Sequence, residues 1–231
     1  MPDKLTIIIP AYNEEKTILL ILNEIKKTKF PTKREILVID DSSKDKTRKV
    51  VSSYMKKNSE IKLLSHKTNL GKGAAIKTGL KNANGNIITI QDADLEYDPK
   101  DLSKLVNTLI KENLPVIYGS RFLEKKKKGK LTFYLGNKLL SLITSVLYGQ
   151  KITDMETCYK VFRKEVIKDF DLKSNTFDIE PEITSKILKR GHKIKEIPIA
   201  YFPRTETQGK KIKIRDGFIA LKCLIKYKFA D

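Results

Sequence analysis

The sequence predicts an α/β fold: a central, mostly parallel sheet with helices on both faces. Two observations carry that expectation. From residue 5 to residue 118, short β-branched runs alternate with segments of helical pattern. Each run also ends in small, polar or charged residues, and an open α/β sheet binds its ligands beyond the carboxyl ends of its strands.

The elements follow in order. Residues 5–9 read as the first strand and 13–27 as the helix returning from it. Strands at 35–39, 61–65 and 87–90 alternate with helices at 44–57, 73–82 and 99–111, and a fifth strand at 115–118 closes the series. "LEKKKKGK" at 123–130 is a lysine run with glycine and reads as a surface loop. Residues 131–148 form an amphipathic helix, and 153–166 a turn, a short strand and a helix start. A helix with a glycine stop covers 177–191, and an edge strand holding prolines covers 193–203. A loop at 204–211 leads into a basic amphipathic helix at 212–229. No repeat or linker divides the 231 residues, so one domain over 1–231 is expected.

Composition narrows the classes of function. Lys and Arg number 47 against 28 Asp and Glu, a net charge of +19, which suggests an anionic partner: nucleic acid, an anionic membrane surface or phosphorylated substrates. Part of the lysine excess is equally explained as a habit of the genome. Cys158 and Cys223 are the only cysteines. They give neither a metal-ligand spacing nor a disulfide framework, so reduced cysteines in the cytoplasm are expected. The amino terminus runs straight into a strand pattern rather than a signal peptide, and no apolar stretch is long enough to span a bilayer.

The strand ends hold the chemistry. Pro10-Ala11-Tyr12-Asn13-Glu14 follows the first strand, Asp40-Asp41-Ser42-Ser43 the second, Asn69-Leu70-Gly71-Lys72-Gly73 the third, Gln91-Asp92-Ala93-Asp94 the fourth and Gly119-Ser120-Arg121 the fifth. Asp92, Asp94 and Glu96 are spaced one residue apart, so their side chains share a side if the chain stays extended. Carboxylates gathered at one point repel unless a cation sits among them, and Mg²⁺ or Mn²⁺ prefers oxygen ligands. The competing reading is a cap for the helix near Pro99, a role already open to Asp98. Asp40 and Asp41 are placed to accept from a base or ribose, or to cap the next helix. The glycines at 71 and 73 either cradle phosphate or give a tight helix entry; the P-loop spacing is absent. The acids on this rim argue against a nucleic-acid-binding module.

Taken together, "IIIPAYNEE" (7–15), "VIDDSSKDKT" (38–47), "NLGKGAAIKTG" (69–79), "QDADLEYDP" (91–99) and "GSRF" (119–122) resemble the family 2 glycosyltransferases of the GT-A fold. "TDMETCYKVFRKEV" (153–166), "FDIEPEI" (177–183) and "EIPIAYFPRTETQGK" (196–210) extend the resemblance to dolichyl-phosphate mannose synthases and related polyprenyl-phosphate sugar synthases. The resemblance implies a Rossmann-like nucleotide-sugar half at 1–121 and an acceptor half at 122–231. Pro10, Ala11, Tyr12, Glu14, Asp40, Asp41, Gly71 and Lys72 would hold the donor, and Asp92, Ala93 and Asp94 would be the D-x-D signature on a Mg²⁺ or Mn²⁺ ion, with Glu96 as a further metal ligand. Arg121 would face donor and acceptor phosphates, Arg204 and Lys210 would close on the diphosphate, and Asp94, Arg121, Arg204 and Lys210 would carry catalysis. Lys130, Asp154, Glu156 and Glu180 would serve the acceptor and sugar. The subgroup's serine and arginine near the acceptor phosphate are replaced by Phe133 and Tyr134, and its "TGSF" reads Glu156-Thr157-Cys158-Tyr159.

The implied activity is inverting transfer of a hexose, mannose from GDP-mannose being favoured, to a polyprenyl phosphate. The alternative is a UDP-sugar with a saccharide hydroxyl as acceptor. A lipid acceptor gives the positive charge a use. Residues 131–148 and 212–229 combine apolar and lysine-bearing faces, as interfacial helices do, or else pack as ordinary core. A peripheral enzyme on the cytoplasmic face of the membrane is expected, with a membrane anchor subunit as a further partner.

Overall fold

The computed structural model describes residues 2–123, 131–204 and 214–230. In chain order the elements are β1 (Lys4–Ala11), α1 (Ile18–Lys27), β2 (Lys33–Asp40), α2 (Thr47–Met55), β3 (Ile61–Ser65), α3 (Lys72–Asn82), β4 (Ile87–Ile90) and α4 (Pro99–Lys111). Then come β5 (Val116–Ser120), α5 (Leu131–Tyr148), β6 (Lys160–Arg163), α6 (Lys164–Ile167), α7 (Ile179–Lys189), β7 (Lys195–Pro198) and α8 (Ile214–Phe229).

The strands form one seven-stranded sheet in the order β3-β2-β1-β4-β6-β5-β7. β1 pairs in parallel with β2 and β4, β2 with β3, and β5 with β7. Ile7, Ile8 and Ile9 of β1 and Ile87, Ile88 and Ile90 of β4 are all buried, as expected for strands covered on both faces. The α/β expectation therefore holds, and β7 is an edge strand as read.

β6 is the exception, antiparallel to both β4 and β5. The reversal matters for the site. A strand of opposite direction turns its amino-terminal end to the rim where its neighbours end. Asp154, Glu156 and Cys158, which precede β6, thus reach the rim beyond β4 and β5.

Helix starts differ from the sequence expectation for a tertiary reason. α1 begins at Ile18 rather than residue 13, and α2 at Thr47 rather than residue 44. The two entry segments hydrogen-bond each other instead: Glu14 N donates to Thr47 Oγ1 at 2.8 Å, Lys44 N to Asn13 Oδ1 at 2.8 Å and Lys46 N to Glu15 Oε2 at 2.8 Å. α4 starts as read, with Asp98 accepting from Lys100 N at 2.9 Å and Pro99 in the first turn.

Candidate active site

A cavity of about 470 Å³ opens beyond the carboxyl ends of the parallel strands. Fifteen expected residues line it: Pro10, Ala11, Tyr12 and Glu14 after β1, Asp41 after β2, Gly71 and Lys72 at the α3 entry, Asp92, Ala93, Asp94 and Glu96 after β4, Arg121 after β5, Glu156 before β6, Glu180 on α7, and Arg204. Asp40 and Asp154 are buried away from it. Lys130 and Lys210 lie outside the described residues.

Several of these residues have other work than expected. Gly71 and Lys72 do not open a phosphate cradle. Leu70 N and Gly71 N donate to the Asp41 carboxylate at 2.9 and 2.8 Å, and Ala74 N donates to Asn175 O at 3.1 Å, so these three backbone donors at the helix entry are engaged. Gly71 has φ +98°, and a Cβ there would stand 2.3 Å from Asn175 O, so the glycine makes a tight entry. Asp41 is the hub of this turn rather than a cap of α2, since it also pairs with His66 Nδ1 at 2.7 Å. Asp40 accepts from Ser43 N at 3.3 Å.

The acids after β4 also depart from the extended geometry. The chain turns at Ala93 and Asp94, and Leu95 adopts φ +63°, so the three acids do not sit on one extended strand. Asp92 meets Lys72 Nζ at 2.9 Å, and the same ammonium reaches Glu180 Oε1 at 2.8 Å. Asp94 accepts from Arg204 Nη2 at 2.9 Å. Glu96 accepts from Arg204 N at 2.8 Å and Tyr201 Oη at 3.2 Å, which anchors the segment after β7.

Arg121 is oriented before any ligand arrives. Its Nε and Nη2 donate to the two oxygens of Asp154 at 2.7 and 2.6 Å, and its guanidinium lies over the Tyr201 ring at 5.2 Å. Asp154, buried behind the cavity, therefore holds Arg121 in place.

Charge is unbalanced in the cavity. Among the described lining residues, Glu14, Asp41, Asp92, Asp94, Glu96, Glu156, Glu180 and Asp216 stand against Lys72, Arg121 and Arg204. Burial, then the charges of Asp92 and Glu96, push the Asp94 carboxyl up to about 7 against the pull of Arg204. Burial and Glu180 likewise push Glu156 up to about 7, against Lys160 and Arg121. Burial opposes ionisation of Asp92 as well, but Lys72 outweighs it and holds that carboxyl below its ordinary value. Glu156 Oε1 and Glu180 Oε2 are buried and have no hydrogen-bond partner. Two acceptors left bare in a cavity wall are suited to ligand hydroxyls.

No three acid, histidine or cysteine side chains among the described residues form a ready metal cage. The donor set still fits a hard divalent cation. Mg²⁺ takes one or two carboxylates when substrate phosphates and water complete its shell, and Asp92 and Asp94 offer two beside an open cavity with surplus negative charge.

Sequence reasoning missed Tyr97, Cys158, Phe177 and Tyr201, which also line the cavity. Tyr201 falls inside the edge strand that the sequence pattern extends to residue 203. β7 ends at Pro198, and reading the residues after that strand end would have found it. α5 and α8 also contribute lining residues, Phe133, Gly136 and Leu140 from one and Gly217 and Ala220 from the other.

The architecture and its rim define an open α/β protein whose ligand site lies at the strand ends, with an acidic floor. The chain belongs to Glycosyl transferase family 2, whose family model matches residues 6–170. An uncharacterized protein of Methanocaldococcus jannaschii is 32% identical, covering 98% of this chain and 93% of that one. The UDP-N-acetylglucosamine–dolichyl-phosphate N-acetylglucosaminyltransferase of Methanococcus voltae is 30% identical over 94% of each chain. A dolichyl-phosphate beta-glucosyltransferase of Trichomonas vaginalis is 34% identical over 91% of this chain and 68% of that one. Among solved structures, glucosyl-3-phosphoglycerate synthase of Mycobacterium tuberculosis, with Mn²⁺ and UDP, superposes with a TM-score of 0.75 at 17% identity, covering 99% of this chain and 81% of that one. That likeness is one of fold.

Proposed function

We propose that the protein transfers a hexose from a nucleotide sugar to a polyprenyl phosphate, with inversion, at a membrane surface. One observation carries the reading: the cavity joins an acidic rim at the strand ends to a wall in which Phe133, Tyr134 and Leu140 of α5 and Gly217 and Ala220 of α8 outnumber the polar Thr132, Asn137 and Asp216. The rim suits a sugar and its diphosphate; the wall suits a lipid. The dolichyl-phosphate relatives support this acceptor class. Their names favour glucose, or N-acetylglucosamine carried on UDP, over the GDP-mannose expected from sequence.

Asp92 and Asp94 would hold the divalent cation, which when bound neutralises the leaving diphosphate. The protein's own groups do the rest. Arg204, held among Glu14, Asp94 and Glu96, is placed to donate to the diphosphate. Arg121, locked by Asp154, points a fixed guanidinium at phosphate. Glu156 and Glu180 accept from sugar hydroxyls through their bare oxygens. A phosphate acceptor is already ionised at neutral pH, so catalysis rests on positioning and charge rather than on a strong base.

No helix among the described residues is long and apolar enough to cross a membrane. The outward faces of α5 and α8 offer attachment instead. Leu142 and Val146 on α5 are 61% and 75% exposed, Phe218 and Phe229 on α8 are 71% and 78% exposed, and Lys222 and Lys226 stand among the α8 residues. Apolar side chains rimmed by lysine suit an anionic lipid surface.

The second reading is transfer to a saccharide hydroxyl, which needs a base. Glu156, a cavity-lining residue with its carboxyl pushed up to about 7 and one buried oxygen without a partner, favours it. Side-by-side assays with polyprenyl phosphate and with simple saccharides separate the two. Lipid-linked product supports the first reading; product on saccharide alone supports the second.

A further inference from the structure

α5 and α8 each carry a glycine inside the helix, Gly136 and Gly217, and both glycines line the cavity. A Cβ built at either would meet no atom of the described residues within 4 Å outside its own helix turn. A glycine inside a helix weakens it. Both helices thus hold an unfavourable residue where they border the cavity, and packing against a neighbour does not explain it. Along α5, Gly136 and Leu140 lie one turn apart on the cavity face; along α8, Gly217 and Ala220 do the same. The two helices pack against each other. Outward, they continue into the exposed apolar residues Leu135, Leu139 and Phe218 and into a groove lined by Leu221, Ile225 and the lysines 222 and 226.

We propose that Gly136 and Gly217 form a portal between α5 and α8, through which the isoprenoid chain of a lipid phosphate passes from the bilayer into the cavity. The inference rests on the polyprenyl-phosphate reading above. A branched chain needs width, which two side-chain-free positions supply. It also needs apolar contacts on both sides of the opening, supplied inward by Phe133, Leu140 and Ala220, beside the polar Asn137 and Asp216, and outward by Leu135, Leu139 and Phe218. The lysines beside the groove match an anionic lipid surface.

The test uses the full chain with a long-chain polyprenyl phosphate in vesicles of phosphatidylcholine and phosphatidylglycerol, and a short-chain isoprenyl phosphate in solution. Gly136→Leu and Gly217→Leu are expected to raise KM for the long-chain acceptor ~10-fold or more, with less effect on the short-chain one. Their affinity for UDP or GDP, by calorimetry, stays within about twofold of the parent. Gly136→Ala and Gly217→Ala should raise the melting temperature and raise KM for the long-chain acceptor by a smaller factor, about two- to threefold, so a graded response survives even if one Leu variant folds poorly. A parental KM for the long-chain acceptor in both Leu variants overturns the portal. So does a rise in KM that merely tracks loss of a dimer in sedimentation, which would give the face to a second copy. If the parent glycosylates no lipid phosphate, the functional reading falls and the portal with it. If it does and the Leu variants match it, only the portal falls.

Discussion

The ammonium of Lys72 lies 2.9 Å from the carboxylate of Asp92, tying the entry of α3 to the tip of β4. The same Nζ reaches Glu180 on α7 at 2.8 Å, so one buried cation joins three elements around the cavity. Lys72→Met would leave both acids without a partner. A loss of about 3 kcal/mol or more in urea unfolding is expected. A loss below about 1 kcal/mol would mean that water already serves these acids.

Two glycines with left-handed backbone should respond unequally to alanine. Gly191, at the end of α7 with φ +77°, has open space around an added Cβ, and Gly191→Ala is expected to cost about 1–2 kcal/mol. Gly71, at φ +98°, would drive its Cβ to 2.3 Å from Asn175 O, so Gly71→Ala adds a backbone clash to the same strain. Equal melting temperatures for the two variants would contradict the tight packing of the α3 entry on the segment before α7.

Glu35 supplies a pH test far from the cavity. Burial alone would raise its carboxyl, but hydrogen bonds from Asn84 N, Thr6 Oγ1 and the Asn84 side chain, with the charge of Lys4, bring it down to about 2 from 4.5. A depressed carboxyl stabilises the fold in full above its ordinary value, and that stabilisation fades as pH falls toward the folded value. Glu35→Gln should therefore cost roughly 1–3 kcal/mol near neutral pH, and the gap should narrow steadily below about pH 4.5. A gap of the same size at about pH 6 and about pH 3 would contradict the assignment.

The outward faces of α5 and α8 predict vesicle binding. The protein should float with vesicles containing phosphatidylglycerol, and Leu142→Asp combined with Val146→Asp should abolish flotation while leaving the melting temperature nearly unchanged, because both residues are exposed. Absence of flotation in the parent would remove the membrane from the account.

The sequence reveals the strands and their rim because apolar β-branched runs such as Ile7-Ile8-Ile9 are unmistakable, and because the rule of ligands at strand ends needs no tertiary information. It finds Pro10, Asp92, Asp94 and Arg121 by position alone. It does not reveal partners. That Asp41 holds Leu70 N and Gly71 N, that Glu96 holds Arg204 N, or that Asp154 locks Arg121 depends on contacts between segments 29 to 108 residues apart. Nor does it reveal the direction of β6. Four residues fit either orientation, and only the reversed one brings Glu156 to the rim. The helix starts at Ile18 and Thr47 fail for a related reason, since reciprocal hydrogen bonds between two loops outweigh local helical preference.

One assay addresses the central claim: labelled sugar transfer to a polyprenyl phosphate in vesicles, run with UDP-glucose, UDP-N-acetylglucosamine and GDP-mannose, with Mn²⁺ and with excess chelator. Organic-extractable label from a UDP-sugar, lost on chelation and reduced ~100-fold or more in Asp94→Asn, is the predicted result. No lipid-linked label from any donor, with label instead on a saccharide acceptor, would contradict it.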